Sequence, residues 1–174
     1  MLKVECIING YLEENCYLVH NGKECLIIDP GSESERIIAR VKELKLNVLG
    51  ILITHSHFDH VGALEDVENE FNVVVVDDKN RKENIGPFKY RIIENYGHTM
   101  DSISFYFYED DILFSGDFIF KGSIGKYDYK NEKIMRYSLK EFKDLDKNIV
   151  IYPGHGEKTT VESELKYNMF LRGI

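Results

Sequence analysis

A chain of 174 residues, 43% hydrophobic and 30% charged with three Pro and thirteen Gly, can bury a substantial core and is too mixed for disorder, collagen or low-complexity structure. Its formal net charge of -8, with no Lys/Arg cluster to reverse it locally, argues against nucleic acid as a partner. No run reaches the roughly 20 apolar residues of a membrane helix, and "MLKVECIINGYLEENC" lacks a basic-then-apolar leader pattern, so a single domain over 1–174 in the cytoplasm is expected, away from the membrane, with Cys6, Cys16 and Cys25 reduced and buried.

The first thirty residues read as short strands, "KVECIING", "NCYLVHNG" and "ECLIIDPG", punctuated by Asn-Gly and Pro-Gly. His20, beside the second turn, reads as a surface or hairpin histidine. Ser32 and Glu35 form a capping box, and Ile37, Ile38, Val41 and Leu44 recur at helical spacing, predicting a helix from about Glu33 to Leu46. "NVLGILIT" has the continuous aliphatic character of a buried strand, "GALEDVENEF" looks helical, and "VVVV" at 73–76 is a strand, so the order becomes β-α-β.

A second half begins near Phe88 with strands "FKYRIIENY", "SISFYFYE" and "DILFSGD"; the alternation in the aromatic run predicts one buried face. A loop is expected from Phe118 to Arg136. Ser138 and Glu141 make a second capping box for "LKEFKDLDK", "NIVIYPGHG" is a buried strand, and an acidic, solvated helix runs from about Val161 to Leu171. The halves share a rhythm of strands, helix and a strand ending in a polar site. Two sheets packed face to face with helices outside would gather strand C-termini along one edge.

Three of the six histidines fall in "THSHFDHVG", at the end of the buried strand. Imidazole nitrogen and carboxylate oxygen bind Zn²⁺ at about 2.0–2.2 Å, and "HSHFDH" presents four such donors. In an extended strand end, His55 and His57 point the same way and Asp59 continues the period, whereas His60, in a turn, points elsewhere. Two ions sharing a mouth are therefore expected. His98 in "YGHTMD", Asp117 in "FSGD" and His155 in "YPGHGE" also follow strands.

With "NCYLV" and "IIDPG" upstream, "THSHFDHVGAL", "GHTMDSISFY", "LFSGDFIFKGSIGKYD" and "YPGHGEKTTVESELKYNMFLR" make the chain resemble the metallo-β-lactamase superfamily, and within it the short glyoxalase-II-like hydrolases. The resemblance covers nearly the whole chain. It implies an α/β fold, an αββα four-layer sandwich of two mixed sheets flanked by helices. It implies two divalent metal ions, zinc before iron or manganese: one held by His55, His57 and His98, the other by Asp59, His60 and His155, with Asp117 bridging. It also implies that Asp29 orients a ligand from behind.

A metal pair lowers the pKa of a captured water toward neutrality, giving a nucleophile without Ser or Cys, while Asp59 orients it and passes a proton on. By resemblance the reaction is hydrolysis of a small acyl-thiol of the S-lactoylglutathione type, with Lys126, Tyr127 and Tyr129 at the thiol. The longer glyoxalase II enzymes carry a further C-terminal helical domain and a tyrosine two residues after the lysine; here the chain stops at Ile174 and position 128 is Asp. Two rivals stand beside this reading: a persulfide dioxygenase with one iron on His55, His98 and Asp117, and a metal-stabilised binding domain without catalysis.

Overall fold

Asn21 and Gly22 make the turn their sequence promises: the Asn21 side chain accepts from the backbone N–H of Lys23 and Glu24 at 3.0 and 2.9 Å, and Gly22 takes φ 96°. The turn joins β2 (Glu14–His20) to β3 (Glu24–Ile28), and β2 also pairs antiparallel with β1 (Lys3–Asn9). The computed structural model describes residues 1–174, and the chain divides into two compact units, Met1–Phe88 and Lys89–Ile174.

In the first unit, helix α1 (Ser34–Glu43) crosses from β3 to a parallel neighbour, β4 (Asn47–Leu52). Two helices, α2 (Phe58–Val61) and α3 (Leu64–Phe71), then lead to β5 (Val74–Val76), parallel to β4. The sheet order is β1-β2-β3-β4-β5. Ile37 and Val41 of α1 and Val67 of α3 bury against Leu18, Ile27 and Ile51. Every residue of β2 is buried, His20 included at 5% exposure, so that histidine is not at the surface. In the register it lies between Lys3 of β1 and Cys25 of β3.

The expected capping box at Ser32 does not form. The cap of α1 is Glu33 in the left-handed region, without a side-chain hydrogen bond, because the Ser32 hydroxyl donates instead to Asn9 Oδ1 at 3.1 Å. Cys16 and Cys25 are buried free thiols, whereas Cys6 is exposed. A small hairpin, β6 (Asn84–Ile85) and β7 (Phe88–Lys89), follows β5 in the chain.

The second unit contains β8 (Arg91–Glu94), β9 (Ile103–Phe107), β10 (Ile112–Gly116), a hairpin of β11 (Ile119–Phe120) and β12 (Ser123–Ile124), and a 3-10 turn at Tyr129–Asn131. Helix α4 (Glu132–Phe142), β13 (Val150–Pro153), β14 (Thr159–Thr160), α5 (Val161–Tyr167) and a 3-10 turn at Met169–Leu171 complete it. The sheet order is β14-β13-β10-β9-β8, with β10 and β13 parallel and the rest antiparallel.

Four expectations fail in this unit. The stretch 118–136 holds a hairpin, a turn and the first residues of α4, not a plain loop. Ser138 sits inside α4 and its hydroxyl donates to the Tyr96 carbonyl at 2.7 Å, so it caps nothing. Strand β9 is buried on both faces, Ser104 bonding to Asn95 Oδ1 on one and Phe105 and Phe107 packing Tyr90 on the other. Glu164 of α5 is not solvated: at 1% exposure it accepts from Gly122 N, Thr159 Oγ1 and Asn168 Nδ2 at 2.8, 2.6 and 2.8 Å. That carboxylate ties α5 to the β11–β12 hairpin.

Candidate metal centre

In the first unit the parallel pair β3 and β4 end side by side, the Asp29 N–H donating to the Leu52 carbonyl at 3.0 Å. The chain reverses there, with Asp29 at φ 49°. That turn points the Asp29 carboxylate at three donors: Thr54 N at 2.7 Å, Thr54 Oγ1 at 2.6 Å and His60 Nδ1 at 2.9 Å. The Thr54 hydroxyl, its proton committed to Asp29, accepts from His55 Nδ1–H at 3.1 Å. One buried carboxylate thus fixes the tautomer of two histidines and leaves the Nε2 lone pair of each available to a cation.

His55 Nε2 faces His57 Nδ1 at 3.1 Å, and His60 Nε2 faces Asp59 Oδ2 at 3.8 Å. Two donors on one tetrahedral ion, each about 2.0 Å from it, stand about 3.3 Å apart. Both pairs fit, as do nitrogen and oxygen donors with a divalent cation. Contrary to the expectation from sequence, the strand period does not extend to Asp59; Asp59 and His60 lie together in α2, with Asp59 half-buried, His60 at 0% exposure and His57 exposed. A Cβ on Gly31 would stand 1.8 Å from the Asp59 carbonyl, and one on Gly62 2.4 Å from the Gly31 carbonyl. The 29–31 turn is therefore packed directly on α2, which sets where Asp59 and His60 point. Glu14, buried at 1% exposure, brings Oε1 to 3.8 Å from His60 Nδ1, on the side of the ring occupied by Asp29.

In the second unit the parallel pair β10 and β13 again end together, Gly154 N donating to the Gly116 carbonyl at 2.9 Å. Asp117 follows one strand and His155 the other. The antiparallel register sets Phe114 opposite Phe105, so the residues before β9, His98 among them, lie at the same sheet edge. His98 Nε2 is 3.5 Å from Asp117 Oδ2, and His155 Nε2 is 3.6 Å from Asp117 Oδ1. Each oxygen of Asp117 faces a different imidazole, which suits a carboxylate shared by two ions. His98 Nδ1–H donates to the backbone carbonyl of Lys126 at 2.5 Å, again leaving the Nε2 lone pair available to a cation. A Cβ on Gly125 would meet the Asp117 carbonyl at 1.7 Å and His98 Nδ1 at 3.1 Å, so only glycine admits this approach.

The Lys126 side chain is exposed, Tyr129 is 87% exposed at the start of its 3-10 turn, and Tyr127 is half-buried against the core of its unit. Sequence reasoning missed Thr54, the Lys126 carbonyl, Glu14 and the glycines 31, 62 and 125. Thr54 carried a signal, since it immediately precedes the histidine run at a strand end. A backbone carbonyl carries none. No helix is long and apolar enough to cross a membrane.

The family profile described as the metallo-beta-lactamase superfamily matches residues 10–89 and 82–155. The hydroxyacylglutathione hydrolase GloC of Haemophilus influenzae is 29% identical over 98% of both chains. The structure titled BLEG-1 B3 metallo-beta-lactamase is 28% identical, with a TM-score of 0.91 over 98% of this chain and 100% of that one. TTHA1623, titled as a di-iron-bound form, is 31% identical, with a TM-score of 0.86 over 95% and 99%. The mixed sheets and helices, the donor sets at strand ends and these likenesses agree, and the chain belongs to the metallo-β-lactamase superfamily, with its fold and its metal-dependent hydrolase character.

Proposed function

We propose that the seven donors hold two divalent ions and that the protein is a thioesterase acting on small S-acyl thiols of the S-lactoylglutathione type. In this reading His55, His57 and His98 serve one ion, Asp59, His60 and His155 the other, and Asp117 both. The observation that carries it is Asp117, with its two oxygens turned to Nε2 of two histidines, one of which, His98, gives its Nδ1–H to a main-chain carbonyl and so keeps Nε2 available. The identity of 29% to a hydroxyacylglutathione hydrolase supports the substrate class, and the di-iron form of TTHA1623 supports a pair of ions. Zinc is the ion this nitrogen-and-oxygen set suits first, iron or manganese next.

When bound, such a pair supplies a water-derived nucleophile at neutral pH and polarises the thioester carbonyl. The protein's own groups do the rest. Asp29, through His60 directly and through Thr54 to His55, holds two imidazoles in the tautomer that ligates. Asp59 would help hold its ion and, beside it, would orient the attacking water and pass its proton toward the departing thiol. Thiols are good leaving groups, so this proton transfer is not demanding. Lys126 and Tyr129, exposed beyond His98, can take the anionic end of the thiol carrier. A single iron on His55, His98 and Asp117 would leave His60, fully buried and oriented by Asp29, without a task.

β-Lactam hydrolysis is the second reading, favoured by the likeness to BLEG-1. Metal analysis combined with turnover of S-lactoylglutathione and of a chromogenic cephalosporin separates the readings. About two ions per chain and chelator-sensitive thioester hydrolysis exceeding β-lactam hydrolysis are expected. Chelator-insensitive hydrolysis, or β-lactam turnover without thioester turnover, refutes the thioesterase.

A further inference from the structure

Three of the large apolar side chains that the first unit exposes border one cavity: Tyr11 at 94%, Leu12 at 51% and Phe58 at 81% exposure. The cavity measures about 290 Å³, and Asn9, Gly10, Ser32 and Asp59 complete its lining. Its polar groups are largely spoken for. Asn9 Oδ1 accepts from both the N–H and the hydroxyl of Ser32 at 3.1 Å, and the Gly10 N–H donates to Glu33 Oε2 at 3.0 Å. Arg36 Nη1 donates to the Ile8 carbonyl at 2.8 Å beside them. These bonds clamp the base of the β1–β2 turn onto the start of α1 and leave an apolar tip beside Asp59.

A turn tip exposed to water usually carries small or polar residues. Here "GYLE" spends a tyrosine and a leucine there, and "HSHFDH" spends a phenylalanine on the exposed first residue of α2, next to the carboxylate the reaction uses. Small-molecule sites run from about 300 Å³ upward, so this cavity matches one portion of a ligand instead of a whole one.

We propose that Tyr11, Leu12 and Phe58 form the acyl subsite, and that among small S-acyl thiols those with apolar acyl groups of about four to eight carbons are turned over faster than one with a short hydroxyacyl group such as lactoyl. This rests on the thioesterase reading for the chemistry, while the apolar subsite rests on the cavity. Thiol recognition then falls to other residues, and the acyl chain supplies the selectivity. A lactoyl group, with a hydroxyl and one methyl, would leave the apolar walls wet. Each added methylene placed against them raises kcat/KM about threefold, somewhat below the value for full burial because one side stays open.

The test is a series of lactoyl-, butyryl-, hexanoyl- and phenylacetyl-glutathione with the metal-loaded protein and its Leu12→Ser and Phe58→Ser variants. In the wild type, kcat/KM for hexanoyl should exceed that for butyryl by about tenfold. In both variants the hexanoyl-to-butyryl ratio should fall toward one, and because it is a ratio, any general loss from disturbing α2 cancels. A flat or falling series in the wild type, or a ratio that survives both substitutions, overturns the proposal. If no thioester is turned over, the thioesterase reading fails, and the subsite is judged by titrating hexanoate and lactate against the wild type. Hexanoate should shift the NMR signals of the Phe58 ring and the Leu12 methyls where lactate does not; no shift from hexanoate overturns the subsite.

Discussion

The two units place their site residues in the same way and hold them differently. Each has a pair of parallel strands, β3 with β4 and β10 with β13, whose C-terminal ends carry candidate donors, His98 joining those of the second unit from the stretch before β9. In the first unit the imidazoles are held by a side chain, Asp29, acting on His60 and, through Thr54, on His55. In the second, His98 is held by a main-chain carbonyl, that of Lys126. A side chain can be lost by one substitution, whereas a carbonyl is lost only by moving the backbone. The hold on His55 and His60 is therefore open to a single chemical change at Asp29, whereas the hold on His98 yields only to a shift of backbone.

The largest effects should come where backbone meets backbone. Gly31→Ala and Gly125→Ala each drive a Cβ to within 1.8 Å of a carbonyl oxygen, of Asp59 and of Asp117. Each should cost about 3 kcal/mol and lower the thermal midpoint by about 6–12 °C, measured by calorimetry. Gly125→Ala should also displace the His98 partner, and Gly31→Ala should spare it.

Next comes Asp29→Ala, which removes the acceptor of three donors. Metal affinity should fall about 10- to 100-fold, read by competition with a chromophoric chelator. Lys126→Ala sharpens the comparison, because the carbonyl that orients His98 remains. Metal affinity should stay within about twofold while KM for an anionic thioester rises about tenfold. Equal losses of metal in the two variants would mean that the units are not held in different ways.

Glu164 is the second unit's buried carboxylate, and it holds the β11–β12 hairpin instead of an imidazole. Glu164→Ala leaves the Gly122 N–H, the Thr159 hydroxyl and Asn168 Nδ2 without their acceptor, at a cost of about 1–3 kcal/mol in urea unfolding. Metal affinity should change far less than in Asp29→Ala.

The smallest effect concerns pH. Burial lowers the pKa of His20, whose ring nitrogens have no hydrogen-bond partner, so the folded state binds the proton less readily than the unfolded chain. The sign follows: stability is fully present above the unfolded value of about 6.5 and declines as pH falls through it toward the lower folded value. His20→Leu should flatten the fall of the urea midpoint between about pH 7 and 5 relative to the wild type. An unchanged slope would assign that fall to other groups.

The strands, their order along the chain and the placing of candidate donors at strand ends were legible because each rests on a local pattern: aliphatic runs, Asn-Gly and Pro-Gly turns, and a His-x-His-x-Asp-His cluster. The failures were tertiary. Ser32 and Ser138 had sound capping patterns, yet Asn9 and the Tyr96 carbonyl lay nearer to their hydroxyls than any helix end did. His20 and Glu164 looked solvated because polarity was read without the neighbours that bury them. Asp29 was anticipated through resemblance; Thr54 carried a signal in its place before the histidine run, but its bonds to Asp29 join residues 25 positions apart and are fixed only by the fold. The same holds for the 118–136 stretch, whose glycines read as loop while serving a hairpin pinned by Glu164.

The most direct test of a shared two-ion centre is the metal content per chain, by mass spectrometry after anaerobic purification, for the wild type and Asp117→Ala. About two ions per chain are expected in the wild type and at most one in the variant, with hydrolysis lost in step. Two ions retained without Asp117, or one ion in the wild type with full thioester turnover, would contradict it.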